Sequence, residues 1–197
     1  VIARLGLNWL SRGPNKVGLR ALIEAAGLAG RPLDSYHVAF MLAPRVNAAG
    51  RMSTPDIATR LLLASDDSLL EEARGLAEQL NRENDRRQQE ERVVVAAARR
   101  LVDTDPDIGA RSVIVVAGAD WHRGVIGIVA SKLVELFHRP AIVLSIDGDE
   151  AHGSCRSVPG FDILAALDAH AGYLERYGGH RVAAGLTMDR GRITAFR

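Results

Sequence analysis

An α/β protein with a helical first part is what the sequence predicts, and three observations predict it. Up to about residue 65, apolar residues recur at helical spacing between capping and breaking residues. From about Asp66 to Val102 there is no proline and one glycine, Gly75, so a single long helix is expected. Beyond Ala110, apolar runs alternate with helical patterns in the order β-α-β-β-α-β, which reads as a mixed sheet with helices packed on it.

Each element has its own justification. "VIARLGLNWLSRG" reads as the end of a helix already under way. "NKVGLRALIEAAGL" places Leu19, Leu22, Ile23 and Ala26 at helical spacing, with Gly27 as its stop. "LDSYHVAFMLAP" takes Asp34 or Ser35 as N-cap and is expected to end at Pro44. "STPDIATRLLLAS" follows, with Thr54 as cap and Pro55 in its first turn. In the long segment, Leu69, Leu70, Ala73, Leu76, Ala77 and Leu80 precede a polar stretch, "NRENDRRQQEER". Val94, Val95, Ala98 and Leu101 follow it. Glu78/Arg82, Glu83/Arg87 and Arg87/Glu91 are spaced to support a helix weakly. A helix polar all round in its middle and apolar at both ends predicts a solvated bridge between two bodies, about 50 Å long. The alternative is a charged disordered linker, and the flanking periodicity favours the helix.

"DTDPDIGA" is a turn-rich boundary. "SVIVVAG" reads as a buried strand, "GVIGIVASKLVELF" as an amphipathic helix and "PAIVLSID" as a second strand. The turn "DGDE" folds "AHGSCRS" back as a hairpin. "FDILAALDAHAGYLERY" is expected to be a second helix, "RVAAGLTM" the last strand, and "DRGRITAFR" a helix broken off at its start. The first residue is Val1, which with the two terminal patterns raises the expectation of a piece of a longer protein.

The bulk numbers exclude more than they assign. The chain has 197 residues, 47% of them apolar and 25% charged, ordinary values for a globular protein with a real core. Net charge is +1, so any nucleic-acid surface is a local patch. One cysteine, Cys155, rules out a disulfide framework within the chain and fits a cytoplasmic location. No apolar run is long enough to span a bilayer, and no membrane partner is expected.

Four stretches could carry chemistry. "GADWHRG" precedes a helix whose free N–H groups favour an anion, with Trp121 able to stack, His122 beside it and Arg123 able to hold a phosphate. Equally, Trp121 could only cover the sheet edge. "GSCRS" sets Ser154 and Arg156 on one face of a strand, beside Ser157, as a phosphate clamp. "RYGGHRVAAGL" places Gly178 and Gly179 directly before His180. Glycine lets a ligand approach the backbone, and the plainer alternative is a helix C-cap with a solvated histidine. "APRVNAAGRM" reads as a short loop in which Arg45 and Arg51 could reach a phosphate, or in which Arg and Asn only cap helices. No P-loop, zinc-spaced pair or nucleophile with its base is present.

"APRVNAAGRM", "WHRGVIGIVASKLVELFHRPAIVLS", "GSCRSVPGFDILAAL" and "RYGGHRVAAGLTM", in this order and spacing, resemble the RecJ-type single-strand-specific DNA exonucleases of the DHH phosphoesterase superfamily. The resemblance spans the chain, with Arg123 and Cys155 standing where smaller residues are expected. It implies three regions: 1–65 as the end of a DHH lobe, 66–102 as the bridging helix, and 103–197 as the DHH-associated substrate-binding domain. No "DHH" or "D-x-D-G" string occurs, so the Mn²⁺ or Mg²⁺ of such enzymes is expected on polypeptide outside this sequence.

The resemblance further implies roles. Arg51 and His180 are the catalytic candidates. Arg45, Asn47, Trp121, His122, Ser154, Arg156, Ser157, Gly178 and Gly179 bind nucleotide or phosphate. The implied activity is 5′–3′ hydrolysis of single-stranded DNA to 5′-mononucleotides in repair and recombination. A helicase and a single-strand-binding protein are candidate partners, and the present stretch alone is expected to bind but not cleave. Two alternatives stand beside this: a phosphodiesterase of the same superfamily acting on oligonucleotides or cyclic dinucleotides, and a non-catalytic nucleotide-binding module.

Overall fold

The computed structural model describes residues 1–14 and 16–197; Asn15, which opens the "NKVGLRALIEAAGL" segment, lies outside the described residues. The chain divides into two units, Val1–Gln88 and Gln89–Arg197.

The first unit is helical: α1 (Ile2–Ser11), α2 (Val17–Ala25), α3 (Ala43–Met52), α4 (Asp56–Leu63) and the first half of α5 (Leu70–Thr104). Its core gathers Val17, Leu22, Leu28, Leu42, Leu61, Ala77 and Leu80. Gly18 makes the closest joint: a Cβ there would lie 1.7 Å from the Leu61 carbonyl oxygen, and the Gly18 N–H donates to the Ala64 carbonyl at 3.1 Å. Asp34 caps the next helical run by accepting from the His37 N–H at 3.0 Å.

Pro44 does not end that run. Residues His37–Leu42 form a π-helical turn that continues directly into α3, with Pro44 inside its first turn. The wide turn accommodates a residue without an N–H. Separately, the Arg45 guanidinium donates to the Met41 carbonyl at 2.6 Å. "APRVNAAGRM" is therefore helix and not the expected loop.

The long helix is present as α5, 35 residues, entered through a turn that Asp66 caps by accepting from the Ser68 N–H at 2.8 Å. Its polar middle is not solvated all round. Leu80, Asn84, Glu91, Val94 and Ala98 are all buried and fall on one helical stripe. Polar side chains continue the stripe because each finds a partner: Arg87 donates to Asn84 Oδ1 at 3.2 Å, and Lys132 Nζ meets Glu91 Oε1 at 2.5 Å. The boundary "DTDPDIGA" includes a short helical turn, α6 (Pro106–Gly109), which Asp105 caps.

The second unit is built on a mixed sheet of five strands among the described residues: β1 (Ile114–Ala119), β2 (Ala141–Asp147), β3 (Glu150–Arg156), β4 (Arg176–His180) and β5 (Ala183–Asp189). The order is β1-β2-β3-β5-β4, with β1 and β2 parallel and the other pairs antiparallel. Helix α7 (Arg123–Phe137) packs on β2 and β3 from one side. Helices α8 (Ile163–Ala169) and α9 (Ile193–Phe196) close a core on the other side with Val115, Ile142, Leu144, Ala151, Cys155, Leu186 and Met188. Burial pushes the Cys155 thiol up to about 12, which makes it an inert packing residue.

One expected element differs. The helix foreseen over "FDILAALDAHAGYLERY" stops at Ala169, and "RYGGH" is the edge strand β4, neither a loop nor a helix cap. Glycine pairs are poor helix formers, and in the register observed β5 offers them a full backbone ladder.

Candidate nucleic-acid interface

The register of the sheet decides which side chains share a face. Arg156, Ala183 and His180 are aligned across β3, β5 and β4. The next row is Ser154, Gly185 and Gly178, and the one after it is His152, Thr187 and Arg176. Side chains in aligned rows emerge on the same side, because strand pleats are in phase. That side is the one facing α7: a Cβ on Gly127, in the second turn of α7, would sit 3.1 Å from both Ser154 Oγ and an Arg156 terminal nitrogen. Ser154, Arg156, Gly178 and His180 are thus brought to one face. Adjacent strands lie about 4.8 Å apart, so Arg156 and His180 stand about 10 Å from each other across Ala183.

Helix α7 covers β2 and β3; further along this face Thr187 is buried, while Gly185, Gly178, His180 and Arg176 of β5 and β4 lie bare. The bare part has little side chain to offer. Gly185 and Gly178 are paired, and a Cβ on Gly178 would meet nothing within 4 Å. Its neighbour Gly179 differs: at φ 150° its Cβ would lie 2.5 Å from the Ala183 carbonyl oxygen, so the fold itself requires glycine there. Gly178 is a glycine that this fold does not require.

Ser154 and Arg156 border this bare floor. Arg156 Nη1 donates to Ser154 Oγ at 3.2 Å and to the Cys155 carbonyl at 2.8 Å, which holds the guanidinium in one orientation beside the serine. His122 caps α7: its Nδ1 accepts from the Gly124 N–H at 3.0 Å, a bond that leaves Nε2 to carry the ring proton. Tyr177, on the opposite face from Gly178, is hydrogen-bonded by Asp168 of α8, which holds the phenol above its usual range and ties β4 to the helix beneath it.

Other expected residues have different settings. The Trp121 indole lies directly over Gly118, where a Cβ would be 2.2 Å from the ring, and its carbonyl accepts from Ser145 Oγ at 2.5 Å. It covers the end of β1. Ser157 Oγ donates to the Phe161 carbonyl at 2.8 Å inside the turn after β3. Arg45 donates to Asn81 Oδ1 at 2.9 Å as well as to Met41, so its guanidinium joins α3 to α5. Asn47 and Arg51 are exposed one turn apart on α3. These last three residues belong to the first unit and the sheet residues to the second.

Sequence reasoning missed Gly127, Gly185, Thr187 and Arg176. The signal for Gly185 and Thr187 was the alternation in "RVAAGLTM"; Arg176 was hidden because its segment read as helix. A cavity of about 210 Å³ lies on the opposite side of the sheet, lined by Val115, Ile142, Leu167 and Phe196. The candidate interface is an open face, the form that suits an extended polymer. Among the described residues no group of three or more His, Cys, Asp or Glu side chains could hold a metal ion. No helix among them is long and apolar enough to cross a membrane.

Comparison with known proteins agrees with this architecture. Residues 110–197 match the DHHA1 domain family. The single-stranded-DNA-specific exonuclease RecJ of Bacillus subtilis is 40% identical over 190 residues, 95% of this chain and 23% of its own length. That of Thermus thermophilus is 39% identical over 181 residues, 92% of this chain and 25% of its own length. The crystal structure of RecJ from Thermus thermophilus in complex with Mg²⁺ superposes with a TM-score of 0.79 at 38% identity, covering 97% of this chain and 28% of that one. A structure of exonuclease RecJ bound to manganese gives 0.80 at 38% identity, covering 97% and 46%. The chain therefore spans about a quarter of the length of these curated relatives. Residues 110–197 are a DHHA1 domain, and over nearly its whole length the chain is a homologue of the RecJ-type exonucleases.

Proposed function

We propose that the bare β5–β4 half of the α7 face holds the sugar–phosphate backbone of single-stranded DNA, and that the chain is the substrate-binding part of a 5′–3′ exonuclease acting in DNA repair and recombination. The observation that carries this reading is the shared face: Ser154, Arg156 and His180 surround paired glycines, one of which the fold does not require. An oriented guanidinium beside a hydroxyl takes a phosphate through charge-assisted bonds. His180 stands two strands away to meet a neighbouring phosphate or sugar oxygen, and the Gly178 backbone lets the strand approach. Arg51 and Asn47 of α3 are proposed to reach the phosphate near the reacting bond; Arg45 serves that helix by holding it to α5.

In this reading residues 1–65 complete a DHH lobe, 66–102 bridge, and 103–197 bind substrate. Hydrolysis to 5′-mononucleotides then depends on Mn²⁺ or Mg²⁺ held by polypeptide other than the residues described here. A cytoplasmic enzyme working with a helicase and a single-strand-binding protein fits the same reading.

The test is fluorescence anisotropy with a labelled oligothymidylate. The 197-residue chain binds it, more weakly as salt rises, and cleaves nothing when Mn²⁺ is added. Arg156→Ala weakens binding about tenfold while leaving the melting temperature nearly unchanged. Unchanged affinity in Arg156→Ala, or cleavage by the chain alone, overturns the reading. A preference for two- or three-nucleotide ligands over long strands replaces it with a small-substrate phosphodiesterase.

A further inference from the structure

Arg176 is not accounted for by the contacts around it. It begins β4, on the same face as Gly178 and His180, and pairs with Thr187. It is exposed, and among the described residues nothing hydrogen-bonds its guanidinium or the His180 ring. The two side chains bracket Gly178 and stand four residues apart along an extended strand, about 13 Å. Between them lies the side-chain-free floor of Gly178 and Gly185, and beyond the floor the helix α7 with Ser154 and Arg156 beneath it. A floor with Arg176 at one end and the Arg156 guanidinium beside His180 at the other suits a ligand that carries more than one negative charge along its length. A single anion would satisfy one end only.

We infer that Arg176 contacts a second phosphate of the same bound strand, so that the polynucleotide lies along β4 with one phosphate at Ser154, Arg156 and His180 and another at Arg176. This rests on the reading of the face as a nucleic-acid interface and adds direction and minimum length to it. A strand held at one end only would be free to pivot about the Arg156 corner; the second contact fixes its path parallel to β4. The competing role for Arg176 is structural, a charge that keeps the uncovered edge of β4 from pairing with another chain.

Binding of a labelled oligothymidylate and of thymidine 5′-monophosphate to the whole chain, each across a salt series, separates these roles. Arg176→Ala weakens the oligonucleotide about fivefold and makes its logarithmic salt dependence shallower by about 0.7, the loss of one single-strand phosphate contact. It leaves the mononucleotide unaffected. Arg176→Lys restores the salt dependence, because the charge and not the fork is needed. Arg156→Ala weakens both ligands. If Arg176→Ala leaves the oligonucleotide's salt dependence unchanged while Arg156→Ala weakens binding, the second contact is refuted and the interface stands. If the unsubstituted chain binds neither ligand, the interface reading falls and this inference with it. Equal loss of both ligands in Arg176→Ala also refutes it, since Arg176 would then belong to the first phosphate.

Discussion

The α7 side of the sheet has two halves that differ in almost everything except their backbone. Under α7, Ile114, Val116, Ala141 and Val143 are wholly buried and Val125, Val129 and Leu133 close over them. Two strands further on, the same side carries Gly185, Gly178, His180 and Arg176, all exposed. One half is a core because a helix removes its apolar area from water, at about 25 cal/mol per Å². The other has no helix over it and little apolar side chain that would need one. The difference teaches where to look for function in this domain. The half that contributes nothing to the core is free to be shaped by a ligand, and its glycines are best understood by asking which of them the fold demands.

The comparison can be broken in order of effect. Val143→Asp places an unpaired carboxylate under α7 and lowers stability by about 4 kcal/mol, read as a shift in the denaturant midpoint. If that variant is as stable as the parent, the covered half is not the core described.

Next come the adjacent glycines. Gly179→Val drives a Cβ into the Ala183 carbonyl and costs about 2–3 kcal/mol. Gly178→Val stays within about 0.5 kcal/mol of the parent and weakens oligonucleotide binding about tenfold. Thermal unfolding and anisotropy on the same two proteins decide this. Reversal of the two stability effects would mean that β4 pairs in another register.

The smallest effect lies outside the sheet. Hydrogen bonds from the His37 backbone and ring hold the Asp34 carboxyl below its ordinary 3.8, and those of Ser68 do the same for Asp66. Such groups add stability that is present above the unfolded value and lost as pH falls through the lower native one. Asp34→Asn with Asp66→Asn should therefore make the drop in melting temperature between about pH 5 and about pH 3 slightly shallower. An unaltered profile would show that neither cap is charged in the native helix.

Much of this was legible in the residues, for identifiable reasons. The cap at Asp34, one of the two candidates, the stop at Gly27 and the continuity of the 35-residue α5 are local matters of propensity and hydrogen bonding. So was the face shared by Ser154 and Arg156, since two residues apart on a strand is one face. Less legible was "APRVNAAGRM", because a proline that ends most helices is accommodated here by a π-turn. Asn84 and Glu91 read as solvated because composition does not reveal that a polar residue has found a buried partner. Trp121 offered stacking or cover, and the structure lays one face of its ring against Gly118.

The sequence by itself determined which segments are helix and which are strand over most of the chain, the mixed character of the sheet, and the motifs whose order and spacing resemble RecJ-type exonucleases. These follow from periodicities of 3.6 and 2 and from residues that act on their immediate neighbours. Only the tertiary structure decided that "RYGGH" is an edge strand, that it lies against β5 in the register bringing His180 level with Arg156, and that α7 stops short of it. Those outcomes depend on which strand pairs with which and how far one helix reaches, and such pairings join residues distant in the chain, whose contact no local pattern encodes.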